Sequence, residues 1–158
     1  LRAFAAVPDP QGDLRLKLVG PHDRRYTPRL QRLAAELGIG GRCDWLPWVS
    51  DAERLELLNR CRGLLMVSLW EGFGLPALEA MACGAPVIAA RAGALPEVVG
   101  DAGLLVDPRD PAAIAAALAD LGRDGALAQQ LAGAGPARAA GFRWSGSFRS
   151  RSGADTFG

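Results

Sequence analysis

Short apolar runs alternate with stretches of helical spacing along almost the whole chain, and few folds accommodate that rhythm. Leu14–Val19 reads as a strand closed by Gly20-Pro21. Tyr26–Leu37 carries Leu30, Leu33, Ala34 and Leu37 at helical intervals and stops at Gly38. Cys43–Trp48 is a short strand, and Ser50 with Glu53 three residues on predicts a capping box for a helix running to Asn59. The uninterrupted run Leu64–Leu69 is expected of a strand covered on both faces. Pro76–Cys83 reads as a helix with proline in its first turn and Gly84 past its end. Two more strands, Pro86–Ala90 and Gly103–Val106, are joined through a turn of helix at Pro96–Val99. Ala112–Leu121 and Ala126–Ala132 complete the series as Ala/Leu helices. This order predicts an α/β fold, a doubly wound parallel sheet with helices on both faces.

Hydrophobic residues make up 49% of the 158 and charged ones 22%, enough for a globular core. A net charge of +1 gives no general attraction for nucleic acid or an acidic membrane, so any anion site must arise from local geometry. Cys43, Cys61 and Cys83 form no CxxC pair and sit among apolar residues. They are expected to be buried free thiols, which points to a reducing, cytoplasmic setting. No apolar run is long enough to span a membrane, and no secretory signal is evident. The sequence begins at Leu1 within the helix-spaced stretch Leu1–Ala6, as a fragment would. Ser145–Gly158 lacks periodicity and is expected to be a mobile tail, with Arg143, Arg149 and Arg151 solvated.

Ligands of parallel sheets lie beyond the carboxyl ends of the strands. One such end is unusual here: Trp70-Glu71-Gly72-Phe73-Gly74-Leu75-Pro76 joins the apolar strand to a helix through two glycines. Glycines let a backbone approach a ligand closely, and a helix start offers free amides and about half a positive charge. A diphosphate suits such a site, although tight turns use the same residues. Glu71 on the loop and Glu79 on the helix are acceptors suited to vicinal hydroxyls. By spacing alone the two glutamates serve equally as a loop cap and a solvent-facing helix residue.

The run Glu71-Gly-Phe-Gly-Leu-Pro-Ala-Leu-Glu79-Ala-Met-Ala-Cys-Gly-Ala-Pro-Val-Ile-Ala resembles the Glu-x7-Glu signature of the GT4-type (group 1) retaining glycosyltransferases. Leu18-Val-Gly-Pro21, Trp45-Leu-Pro-Trp-Val49, the stretch Leu95–Pro108 and Phe142-Arg-Trp144 follow in the family's order and spacing. The resemblance covers Leu1–Trp144 and implies the nucleotide-sugar-binding, C-terminal half of a GT-B fold, a Rossmann-like domain over residues 1–144. It implies retaining transfer of a hexosyl group from a UDP-, GDP- or ADP-linked sugar. Glu71 would then contact the sugar hydroxyls as the catalytic residue and Glu79 the ribose, while the backbone of Gly72, Phe73, Gly74 and Leu75 faces sugar and diphosphate. Val49, Asp51 and Arg54 occupy the place where family members meet the base. Trp45 and Trp48 are expected to pack rather than to stack on it.

The family's preceding strand, ending in Gly-Arg with a Lys-Gly beyond, is absent from this sequence. Charge-assisted hydrogen bonds of about 1.5–3 kcal/mol each are lost with that Arg and Lys, about a hundredfold or more in donor affinity. That strand lies in the middle of a 3-2-1-4-5-6 sheet. Without it the Leu14–Val19 and Leu64–Leu69 strands must close up or expose unpaired edges. The acceptor-binding domain is also absent, so the chain alone is expected not to transfer sugar. Val67 replaces a proline common in the family, a mild change. No metal-ligand cluster appears and His22 stands alone, so no metal or cofactor is expected beyond the donor substrate. Pyridoxal phosphate chemistry is set aside, because the sole lysine, Lys17, belongs to no such motif. The competing reading is a non-catalytic nucleotide-binding or scaffold module of the same fold.

Overall fold

Parallel pairing is what the apolar runs produce, but not within one sheet. The computed structural model describes residues 1–142; the expected tail at 145–158, with Arg143, Trp144, Arg149 and Arg151, lies outside them. Strand β1 (Leu16–Val19) pairs in parallel with β2 (Cys43–Leu46). A second sheet has the order β3 (Leu64–Met66), β4 (Val87–Ala90), β5 (Leu104–Val106), again parallel. No ladder joins β1 to β3 among the described residues. The single sheet expected from the alternation is therefore divided at the place the sequence left open, and the two strands keep separate edges instead of closing up. Direct pairing would require their backbones to come within about 4.8 Å of each other.

Among the described residues seven α-helices accompany these strands: α1 (Arg2–Ala5), α2 (Thr27–Glu36), α3 (Asp51–Arg60), α4 (Leu75–Ala82), α5 (Leu95–Val99), α6 (Pro111–Arg123) and α7 (Gly125–Ala140). They cover both faces of the three-stranded sheet. Val87 and Ala89 of β4 join a core with Ala77, Leu78, Met81, Leu95 and Ala139. Ile88, pointing the other way as strand alternation demands, packs with Val106, Ile114, Leu121 and Leu131. Val87, Ile88, Met81 and Leu95 are all at most 1% exposed, each burial worth about 1.5–3 kcal/mol. A third core of Phe4, Ala34, Ile39 and Cys43 serves β1 and β2. Helix α1 ties the halves together, because Ala3 belongs to one core and Phe4 to the other.

Three expectations need correction. The strand expected over Leu64–Leu69 ends at Met66, and its three residues are half-buried rather than enclosed. The register with β4 stops at Met66–Ala89, so the chain past that point leaves the sheet, and Leu69 is exposed. The helix expected over Ala126–Ala132 continues as α7 through Pro136 to Ala140. Packing against α4 decides this: Gly135 lets the two backbones meet, a Cβ there falling 2.9 Å from the Met81 carbonyl oxygen. Trp48, expected to pack, is 77% exposed, because β2 ends at Leu46 and Pro47 leads the chain outward. Trp45 packs as expected.

The capping box of α3 forms as spaced. Ser50 Oγ accepts from the Glu53 amide at 3.2 Å, and the Glu53 carboxylate accepts from the Ser50 amide at 2.7 Å. Those bonds from Ser50 hold the Glu53 carboxyl below its ordinary range. Ser50→Ala should cost about 1 kcal/mol of stability in urea unfolding, and an unchanged midpoint would show that the cap is idle. All three thiols are free, Cys43 buried and the other two half-buried. Burial raises the pKa of each above the ordinary thiol range.

Candidate functional site

The connection from β3 to α4 opens to solvent. Trp70 is 85% exposed and Phe73 47%, while Glu71 is half-buried. Gly74 stands at the N-cap of α4 with φ 84° and ψ 37°, a left-handed conformation that any side chain would strain. Its carbonyl accepts from Ala77 at 3.0 Å and Leu78 at 3.3 Å. The amides of Gly72, Phe73, Gly74 and Leu75 bond to no backbone carbonyl among the described residues, and Pro76 has no amide to offer. Four donors thus cluster where the helix places its partial positive charge.

Glu71 and Glu79 border this cluster. A Cβ built on Gly74 would lie 3.9 Å from Glu71 Cγ, so the Glu71 side chain runs toward the start of α4. Glu79 follows Leu75 by four residues and shares its helix face, away from the buried Ala77, Leu78 and Met81. Across from it, Arg54 Nη2 on α3 stands 3.3 Å from Glu79 Oε1 and 3.1 Å from Asp51 Oδ1. Glu79 in turn adds its negative charge to the burial that raises the Cys83 thiol pKa. Asp51, Arg54 and Glu79 are therefore gathered by ion pairs. Val49 is half-buried in the connection before α3, and those ion pairs do not extend to it.

Sequence reasoning passed over two supports of the loop. Gly93, with φ 58°, lies against the loop backbone, a Cβ there falling 2.9 Å from Glu71 O and 3.2 Å from Glu71 N. Ala94 donates to the same Glu71 carbonyl at 3.4 Å. The second support is aromatic. Phe73 meets Phe142 edge-on at 6.2 Å between centroids, and the Arg138 guanidinium lies 5.2 Å over the Phe142 ring. Arg138 is itself anchored to the carbonyls of Val98, at 3.0 Å, and Glu97. Gly93 is legible as a turn glycine, but nothing in its neighbours on the chain says that it faces Glu71.

Elsewhere, His22 is exposed in its loop and Lys17 pairs with Asp44 at 3.0 Å. The carboxyl ends of β4 and β5 open into a shallow cleft of about 330 Å³ that reaches Leu69, next to the loop. No group of three or more His, Cys, Asp or Glu side chains comes together among the described residues. No helix there is long and apolar enough to cross a membrane.

Comparison with known proteins identifies the family. The family model described as Glycosyl transferases group 1 matches residues 1–138. D-inositol 3-phosphate glycosyltransferase of Streptomyces avermitilis is 39% identical over 153 residues, 91% of this chain and 33% of that protein. An Anabaena protein (HepE) solved with UDP and glucose superimposes with TM-score 0.81 at 28% identity, over 88% of this chain and 38% of that one. The C-terminal domain of a group 1 family glycosyl transferase from Francisella tularensis gives TM-score 0.76 at 29% identity, over 89% of this chain and 75% of that one. The chain spans between 23% and 37% of the length of the curated relatives it matches. With the family model covering most of its length, the chain belongs to the group 1 glycosyl transferases.

Proposed function

We propose that this chain is the donor-binding part of a retaining hexosyltransferase and holds a nucleotide-diphospho-sugar at the β3–α4 loop. Glu71 accepts from the sugar hydroxyls, Glu79 from the ribose hydroxyls, and the amides of Gly72, Phe73, Gly74 and Leu75 face the diphosphate and the sugar. Val49 and Asp51 lie toward the base. The observation that carries this reading is four consecutive amides with no backbone acceptor among the described residues, in a loop exposed at Gly72, Phe73 and Leu75 and bordered by Glu71 and Glu79. Each element suits one part of the ligand: amides for oxyanions, carboxylates for vicinal hydroxyls. The Anabaena relative solved with UDP and glucose supports the same ligand class.

Leaving-group charge is offset in this reading by the loop amides and the helix end, without a metal. A second, acceptor-binding domain completes the site in a longer protein, so the chain alone binds donor without transferring it. The three free thiols favour the cytoplasm. The other reading is a non-catalytic nucleotide-binding or scaffold module of the same fold.

Calorimetry of the chain with UDP, GDP and ADP separates the donor reading from a scaffold that has no nucleotide site. The donor reading expects one diphosphate to bind, and Glu79→Ala to weaken it by about tenfold, as loss of a bond to a charged group entails, with the thermal midpoint unchanged. No binding of any of the three would transfer the assignment to the scaffold reading.

A further inference from the structure

We infer that Arg54 is a positioning residue for Glu79, and that its contact sets how strongly the site distinguishes a ribose from a sugar lacking its hydroxyls. The inference rests on the donor reading and deepens it. By resemblance Arg54 belongs beside the base; the ion pair directs it to a carboxylate instead.

The geometry is specific. One nitrogen, Nη2, serves Asp51 Oδ1 at 3.1 Å on its own helix and Glu79 Oε1 at 3.3 Å on the next. Asp51 and Arg54 sit in the first turn of α3, which the capping box of Ser50 and Glu53 fixes in place. The guanidinium is thus tethered at its base by the cap and at its tip by Asp51. Asp51 is 76% exposed, Arg54 36% and Glu79 25%, so the end of the chain of contacts that meets Glu79 is the more sheltered one.

Two consequences follow for Glu79. A glutamate side chain has three rotatable bonds, and ordering it on ligand binding carries an entropic cost. Arg54 holds Oε1 and leaves Oε2 for a diol, so part of that ordering precedes binding. The second consequence is electrostatic. Glu71 and Glu79 stand beside the place proposed for a diphosphate, and two carboxylates next to an anion repel it. Arg54 supplies a cation beside Glu79 and offsets one of them. As a partly exposed pair it adds little to the fold, so its effect belongs to the ligand-bound state.

The test compares UDP with 2′,3′-dideoxy-UDP by calorimetry, on the wild-type chain and on Arg54→Met, Arg54→Lys, Glu79→Gln and the double variant R54M/E79Q. The wild type is expected to favour UDP by about tenfold, equivalent to about 1.4 kcal/mol. Arg54→Met should reduce that preference to about twofold with the thermal midpoint unchanged, and Arg54→Lys should restore part of it. The double variant should discriminate no worse than Glu79→Gln alone, since both changes act through one carboxylate. A helix-stabilising role alone would leave the UDP to dideoxy-UDP ratio unmoved. If the wild type binds neither nucleotide, or binds both equally, the donor reading itself is overturned. If the wild type shows the preference and Arg54→Met keeps it, only the positioning role of Arg54 is overturned.

Discussion

Replacing Gly93 by alanine should dislodge the backbone of Glu71 and remove nucleotide binding together with a good part of the stability. The residue sits at φ 58°, where an L side chain is strained, and the added methyl would fall 2.9 Å from Glu71 O and 3.2 Å from Glu71 N. Neither neighbour is the flexible end of a side chain, so one of the two loops must move. Left-handed strain and the backbone clash together are worth about 2–4 kcal/mol. The Ala94 amide that reaches the same Glu71 carbonyl would lose its aim as well. Urea unfolding gives the first quantity and UDP titration the second, where a loss of more than about tenfold is expected. The contrasting change is Gly122→Ala in α6, where nothing lies within 4 Å of the added carbon. That variant should be neutral or more stable, by up to about 1 kcal/mol. A Gly93→Ala chain as stable as the wild type, with its nucleotide affinity intact, would mean that the two loops are not in contact in solution.

The second large effect lies at the crossing of α4 and α7. Gly135→Val brings a branched side chain against Met81, where even a Cβ would be 2.9 Å from the carbonyl oxygen and 3.2 Å from Cα. Met81 is fully buried and cannot retreat. Helix α7 must lift away, which also withdraws Phe142 from Phe73 and Arg138 from the carbonyls of α5. We expect a loss of about 3 kcal/mol, or about 10 °C in thermal midpoint. Gly133→Ala, two residues earlier on the same helix and facing open space, should move the midpoint the other way. Opposite signs at neighbouring glycines are the distinguishing result. If both variants were destabilised alike, helix propensity rather than the crossing would govern α7.

These two glycines also mark where sequence ceases to be informative. The α/β order, the capping box at Ser50 and the glycine loop between Glu71 and Glu79 were all legible, because each follows from residues adjacent on the chain. Hydrophobic period, cap chemistry and turn glycines act over one or two turns of backbone. The gap between β1 and β3 was expected for a different reason: the family resemblance implies a central strand that this sequence lacks, and no ladder joins β1 to β3 among the described residues.

Tertiary contact decided the rest. Pro136 with Gly133 and Gly135 reads locally as the end of a helix, yet burial of Leu131 and Ala139 in two different cores carries α7 across them. Leu64–Leu69 reads as one buried strand, but the ladder to β4 ends at Met66 and turns the remaining residues outward. Arg54 carries no local sign of its partner, which is 25 residues further along the chain on another helix. Sequence thus determined which local structures form and which residue types border the loop. Long-range packing decided where those structures stop and which side chains meet, because a contact between distant segments depends on the shape both adopt together.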